Sequence, residues 1–248
     1  MINDNDFDLG AAKADGKGAL TGIAPVPTKL GLLTLNSPLV ETKTPAPISG
    51  GEVVTGTAPA DNLVPTNQQT IFADGGNDII DGSLSKGSDN RLYGGDGNDE
   101  LYAGLRDRLF GEAGDDILDA TDGKGGNRLY GGAGNDTLFA GTNDFLSGGD
   151  GNDILFAGKG GNTLYGGSGA DKFYLAYNGT PASMNTVADF EIGIDTMVIL
   201  GISGVNDFSK VSLAQQGTDT LIKAGGKDLA VLTGIQSNTL NNSSFKFA

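Results

Sequence analysis

A polar residue that returns every eight or nine positions, always in the same relation to an apolar one, constrains this chain more than any other feature. From Gly56 the polar position reads Asp61, Gln69, Asp78, Asn90, Asp99, Asp107, Asp116, Asn127, Asp136, Asp144, Asp153, Asn162 and Asp171. Two residues after each comes Leu63, Ile71, Ile80, Leu92, Leu101, Leu109, Leu118, Leu129, Leu138, Leu146, Leu155, Leu164 or Phe173. A constant offset of this kind predicts a short strand with one inward side chain, then a turn, then the next strand. Two steps, ending at Asn90 and Asn127, are longer, at 12 and 11 residues, and fit small insertions at SLSKGSD and TDGKGG that bulge from one edge. A longer repeat is superposed: NRLYGGDGNDELY, NRLYGGAGNDTLF and NTLYGGSGADKFY start at Asn90, Asn127 and Asn162.

Alternate polar positions fall into two classes. Asp78, Asp99, Asp116, Asp136, Asp153 and Asp171 close glycine-rich loops: ADGGND, GGDGND, GEAGDD, GGAGND, GGDGND and GGSGAD. The intervening Gln69, Asn90, Asp107, Asn127, Asp144 and Asn162 sit in eroded loops such as AGLRD and AGTND. Two half-coils make a coil of about 18 residues, so loops of one class stack along one edge. Glycine allows the turned backbone that aims carbonyl oxygens at a common point, and each aspartate adds a hard anionic oxygen. Calcium takes six to eight oxygens at about 2.3–2.6 Å, more than one loop can supply, whereas two loops about 4.8 Å apart can share an ion. Six good loops predict about five intercalated Ca²⁺ ions; Asp61 would start the row beside a further site, but its loop GTAPAD lacks the glycines. Magnesium, which prefers a smaller octahedral and partly hydrated site, fits less well.

The block from Gly56 to Tyr174 resembles the RTX (repeats-in-toxin) calcium-binding β-roll, most closely at GGDGNDELY, GGAGNDTLF, GGDGNDILF and GGSGADKFY. That resemblance implies an all-β fold: a right-handed parallel β-roll, or β-solenoid, of nonapeptide repeats with a β-rich carboxy-terminal cap. It also implies the ligands, namely the aspartate carboxylates with the carbonyls of the second and fourth loop positions. Carried onto this chain these are Asp78, Asp99, Asp116, Asp136, Asp153 and Asp171, with Gly95 and Gly97, Gly132 and Gly134, Gly149 and Gly151, and Gly167 and Gly169. Asp74 and Glu112 stand at the second position of their loops, where the expected backbone is strained for a side chain.

Three regions are expected: an extended Pro/Thr-rich arm at 1–55, the β-roll at 56–174, and a capping region at 175–248. The arm carries Pro25, Pro27, Pro38, Pro45 and Pro47, which forbid long helices. Its stretches 31–35 and 38–41 are candidate strands for an exposed sheet edge. The cap contains Val187, Asp189, Phe190, Gly193, Asp195 and Leu200 in a VxDFxxGxDxxxL phrase that resembles the segment following RTX repeats in secreted bacterial proteins. Asp189 and Asp195 read as ordinary turn aspartates, with one further ion held by the two as the alternative, and Ser243 to Ala248 resembles a type I secretion signal.

Composition excludes much chemistry. Without histidine or cysteine there is no Ser-His-Asp or Cys-His catalysis, no HExxH zinc site and no disulfide. A formal charge of −15 disfavours nucleic acid, and no apolar run reaches the length of about 18 residues that spans a membrane. Outward-facing aromatics are expected in two rows: Phe72, Tyr93, Phe110, Tyr130 and Tyr165 on one sheet, interrupted by Ser147, and Tyr102, Phe139, Phe156 and Tyr174 on the other. Arg91, Arg106, Arg108 and Arg128 lie near enough to stack on these rings. The expectation is a secreted, extracellular or cell-surface calcium-binding structural protein with no catalytic residues, which folds as it binds calcium outside the cell. Its expected partners are Ca²⁺, further copies of itself in an oligomer or filament, and an extracellular glycan. The alternative is an accessory RTX module of an adhesin or of a carbohydrate-active enzyme.

Overall fold

A strand with one large inward residue cannot bury that residue alone, and the chain meets the need by stacking coil on coil. The computed structural model describes residues 52–247; the expected arm strands at 31–35 and 38–41 lie outside the described residues. Two sheets run the length of the stack. The first contains strands Val53–Thr55, Thr70–Phe72, Arg91–Asp96, Arg108–Ala113, Arg128–Ala133, Phe145–Asp150, Thr163–Ser168 and Asn185–Val187, each parallel to the next. The second contains Asn62–Leu63, Ile79–Asp81, Glu100–Tyr102, Ile117–Asp119, Thr137–Phe139, Ile154–Phe156 and Lys172–Ala176 in the same parallel order. Successive coils in the first sheet pair Arg91 with Arg108, Arg128, Phe145 and Thr163, steps of 17, 20, 17 and 18 residues. The fold is thus an all-β parallel solenoid of the β-roll kind.

Leucine recurs at the inward position because its neighbour above and below is the same residue in register. Ile71, Leu92, Leu109, Leu129, Leu146 and Leu164 form one column, and Ile80, Leu101, Leu118, Leu138, Leu155 and Phe173 the other. All of these are at most 1% exposed, while Leu63, in the terminal coil, is only half-buried. Small residues fill the remaining inward positions, among them Ala103, Ala120, Ala140 and Ala157, so the two sheets approach closely. The two insertions are local: Gly82–Leu84 is a single 3₁₀ turn whose start is capped by the Asp81 carboxylate, and Asp119 receives the Thr121 N–H.

Beyond Tyr174 the stack is continued and then closed. Asn185–Val187 and Lys227–Leu232 extend the first sheet in parallel, and Asp219–Ala224 and Val211–Gln216 finish it as an antiparallel meander. Thr196–Ile199 and then Phe245–Phe247 extend the second. The phrase around Asp189 serves this closure: Val187, Phe190 and Leu200 are buried, and Gly193 turns at a φ of +84°. Among the described residues no helix is long and apolar enough to cross a membrane.

The outer faces carry the aromatic rows, with one difference from expectation. Phe72, Tyr93, Phe110 and Tyr130 stack with centroids 4.6, 4.5 and 5.0 Å apart. Where Ser147 was expected to interrupt the row, Phe145 fills in, 5.5 Å from Tyr130 and 5.4 Å from Tyr165. Phe145 lies two residues before Ser147, and side chains two apart share a strand face. On the second sheet Phe139, Phe156 and Tyr174 stack at 4.6 and 4.3 Å, with Tyr177 edge-on to Phe156.

Candidate metal centre

The glycine-rich loops lead from the first sheet to the second and stack on one edge. Their second and fourth positions take the left-handed half of backbone space, as Gly132 at +125° and Gly134 at +136° illustrate. Space is as restrictive as angle. A Cβ on Gly132 would stand 2.2 Å from the Glu112 carbonyl oxygen, and one on Gly134 would stand 2.0 Å from that of Gly114. The same approach recurs at Gly95, Gly97, Gly149, Gly151, Gly167 and Gly169, so carbonyls of each loop point at the backbone of the next. Asp74 and Glu112 adopt φ of 81° and 80° at the second position, the strained placement expected of them.

The sixth-position aspartates form a ladder. Each Oδ1 accepts the backbone N–H of the corresponding residue one coil earlier: Asp78 N to Asp99 at 2.7 Å, then Asp99 to Asp116, Asp116 to Asp136, Asp136 to Asp153 and Asp153 to Asp171, each at 2.8 Å. The eroded edge has the same ladder, Asn90 N to Asp107 at 2.8 Å, Asp107 to Asn127 at 2.9 Å and Asn127 to Asp144 at 2.8 Å. This first oxygen is therefore structural on both edges.

The second oxygen separates them. On the glycine–aspartate edge, Oδ2 of Asp78, Asp99, Asp116, Asp136, Asp153 and Asp171 is buried without a hydrogen-bond partner. On the other edge Asp107 Oδ2 accepts Gly104 N–H at 2.8 Å and Asp144 Oδ2 accepts Gly141 N–H at 2.7 Å. The row of open oxygens is also closed at both ends. Thr57 N–H donates to Asp61 Oδ2 at 2.6 Å, and Glu191 N–H to Asp195 Oδ2 at 2.7 Å. Buried anionic oxygens without a partner are costly unless a cation meets them. The space beside them suits one: a Cβ on Gly131 would lie 2.1 Å from Asp136 Oδ2 and 2.5 Å from the Gly148 carbonyl oxygen. Among the described residues no three carboxylates converge on one point, so any cation here needs backbone carbonyls as well. Hard oxygens of both kinds are what calcium takes.

Burial raises the carboxyl pKa along this row: desolvation takes Asp116 and Asp136 from 3.8 to about 7, and Asp153 and Asp171 to about 6. Neighbouring carboxylates push the same way and the backbone hydrogen bonds oppose them. Asp78 and Asp99 shift upward for the same first reason. A row held in this state without metal is poorly suited to neutral pH.

Two features escaped the sequence reading. Asp195, expected to be a turn residue, is the next rung of the ladder, its Oδ1 accepting Asp171 N–H at 3.0 Å. Asp189 receives Gly166 and Gly167 N–H at 2.9 and 3.0 Å, closing the last loop from above. The other feature is an outer ladder at the fifth loop position, where Asn98, Asp115, Asn135 and Asn152 N–H donate to Oδ1 of Asn77, Asn98, Asp115 and Asn135. Its trace in the sequence was the Asn recurring before the loop aspartate. Arg106 does not stack on a ring; it forks onto Asp89, at 3.0 and 2.8 Å.

A family model matches the same stretch of repeats. Residues 70–84, 86–105, 106–125, 121–142 and 141–173 match the RTX calcium-binding nonapeptide repeat (4 copies). No curated protein matches the chain. Among solved structures, the extracellular lipase LipA from Serratia marcescens is 18% identical, with 82% of this chain and 41% of that one covered and a TM-score of 0.26. This chain thus spans less than half of the lipase. The AlgE6R3 subunit of the Azotobacter vinelandii mannuronan C5-epimerase is 25% identical over 58% of this chain and 80% of that one, with a TM-score of 0.34. On the repeat match, residues 70–173 are a run of RTX calcium-binding nonapeptide repeats, folded here as a β-roll.

Proposed function

We propose that this chain is a secreted, non-catalytic structural module of the extracellular space or cell surface, whose β-roll folds as it takes up a row of about five Ca²⁺ ions. The observation that carries the reading is the set of six open, buried Oδ2 atoms at Asp78, Asp99, Asp116, Asp136, Asp153 and Asp171, bracketed by the closed oxygens of Asp61 and Asp195. Six loops enclose five interlayer spaces. Their ligands would be those carboxylates with the carbonyls of Gly95, Gly97, Gly132, Gly134, Gly149, Gly151, Gly167 and Gly169. Calcium would supply positive charge between anionic layers, moving the formal charge from −15 to about −5. Without it, the carboxylates repel and the glycine-rich chain does not recover its ordering entropy.

Such a chain stays unfolded where calcium is scarce and folds where it is plentiful, which suits export before folding. A structural role is supported by chemistry, since these 248 residues contain neither histidine nor cysteine. Calorimetric titration should give about five ions per chain, and circular dichroism in excess chelator should show the β-signal lost. A full β-signal in chelator would sink the coupling of folding to calcium. Homo-oligomers or filaments built through the amino-terminal arm involve residues outside the described ones. For that part, sedimentation of the calcium-loaded protein decides: a monomer at every concentration removes it.

A further inference from the structure

We propose that the outer face of the first sheet docks onto the glycine–aspartate edge of a second copy of this chain, through Arg91, Arg108 and Arg128. These three arginines are exposed and stand directly beside one another in register on parallel strands. Like charges one strand apart, at about 4.8 Å, destabilise a sheet, and among the described residues none of the three has an ion pair. The carboxylate that feels Arg108, Asp89, is already held in the fork of Arg106. A positive row on a chain of formal charge −15 therefore awaits an anionic partner.

The same molecule displays one. Asp74, Asp96, Glu112 and Asp115 project, exposed, from three consecutive loops of the glycine–aspartate edge. They too are like charges crowded together, and because both patches are carried by one stack of coils, both repeat at the coil spacing. A row of arginines on one copy and a row of acids on another match in pitch by construction. Beside the arginines runs the ridge of stacked rings, with Phe72 40% and Tyr165 38% exposed, which adds apolar area to the contact. The ring faces within the ridge lie against one another at 4.5–5.0 Å. Nucleic-acid bases, which bind by stacking on such faces, find them taken.

The contact joins two different surfaces. Arginine row against arginine row would repel, so the pairing is heterologous and leaves one free patch at each end of a pair. It rests on the calcium reading only in that the loops must be folded, so calcium is present throughout and ion stoichiometry is measured separately on every variant. That measurement distinguishes a failed docking surface from a failed calcium reading.

The test is sedimentation of the full chain in calcium at low and high salt. Association at low salt that weakens by about tenfold or more in high salt is the expected result, since exposed ion pairs are screened. Arg91→Glu/Arg108→Glu/Arg128→Glu should be monomeric, as should Asp96→Lys/Glu112→Lys. The arginine variant in excess over the wild type should cap it, giving pairs through the variant's intact acidic edge in place of longer chains. Mixing the two variants with each other should restore association, because the intact arginine row of the Asp96→Lys/Glu112→Lys variant then meets the intact acidic edge of the arginine variant; a mixture that stays monomeric overturns the proposal. The proposal is overturned if the wild type is monomeric at every salt, as it would be with the face covered by residues 1–51. It is equally overturned if the arginine variant associates like the wild type, or if short oligogalacturonates or oligo-dT bind the arginine row while the protein stays monomeric.

Discussion

Aspartate and asparagine do the same backbone work at the sixth loop position and differ in one atom. Oδ1 receives an amide from the preceding coil on both edges, and only Oδ2 of the glycine–aspartate edge is left open. Asp136→Asn keeps the acceptor for Asp116 N–H but loses the open anionic oxygen. Calorimetry of that variant should count at least one ion fewer, with weaker binding in the adjoining layer. Asp144→Asn on the opposite edge should leave the ion count unchanged. It gives up the Gly141 hydrogen bond, a cost of about 1 kcal/mol that chemical denaturation can read. At the second loop position Glu112 carries a side chain at a φ of 80°, a placement that costs about 1–3 kcal/mol. Glu112→Gly should therefore raise the thermal midpoint of the calcium-loaded protein; an unchanged or lower midpoint would mean that the strain is absorbed elsewhere.

Among elements, the loop is the least forgiving. A strand tolerates a change at an outward position, but at Gly134 the left-handed angle and the Gly114 carbonyl oxygen together exclude any side chain. Gly134→Ala should cost more than about 2 kcal/mol, the sum of an angular penalty and a displaced coil. The same change should lower the calcium count by separating two loops. The control is Gly217→Ala, also at positive φ but with open space around its Cβ position: denaturation should show the smaller, purely angular loss there and an unchanged ion count. The cap works at this scale too. Asp189 and Asp195 present to the last loop the acceptors that another coil would have presented, which is how the row ends without leaving Gly166, Gly167 and Asp171 N–H unpaired.

For the molecule as a whole, the buried row of carboxylates links folding to proton and metal together. Asp116 and Asp136 sit at about 7, and Asp153 and Asp171 at about 6, against 3.8 in an ordinary setting. Asp107 and Asp144 on the other edge are also raised by burial. A folded-state pKa above the unfolded one means the folded chain keeps protons that the unfolded chain has released. That contribution is complete below about 3.8 and is lost as pH rises through about 6 to 7. In chelator, the chain should hold more β-structure near pH 5 than near pH 8. With calcium the trend reverses, because the ion needs the deprotonated carboxylates, and affinity should fall as pH drops through the same window. Circular dichroism across pH with and without calcium checks both, and parallel trends in the two series would contradict the linkage.

The repeat, its thirteen inward apolar residues and the division into two edges were all legible in the sequence, because each depends on spacing along the chain and on a strand's period of two. Strain at Asp74 and Glu112 was legible for the same reason, a side chain standing where the neighbouring loops have glycine. Contacts between coils were not. Spacing alone does not reveal that Gly104 and Gly141 turn their amides onto Asp107 and Asp144 while no amide reaches Asp136 Oδ2. It does not reveal that Phe145 replaces Ser147 in the ring ladder, or that Asp195 continues the aspartate ladder after an irregular coil. Each of these is decided by which atoms the stacked backbone brings within hydrogen-bonding or packing distance, a property of the assembled coils rather than of any one repeat.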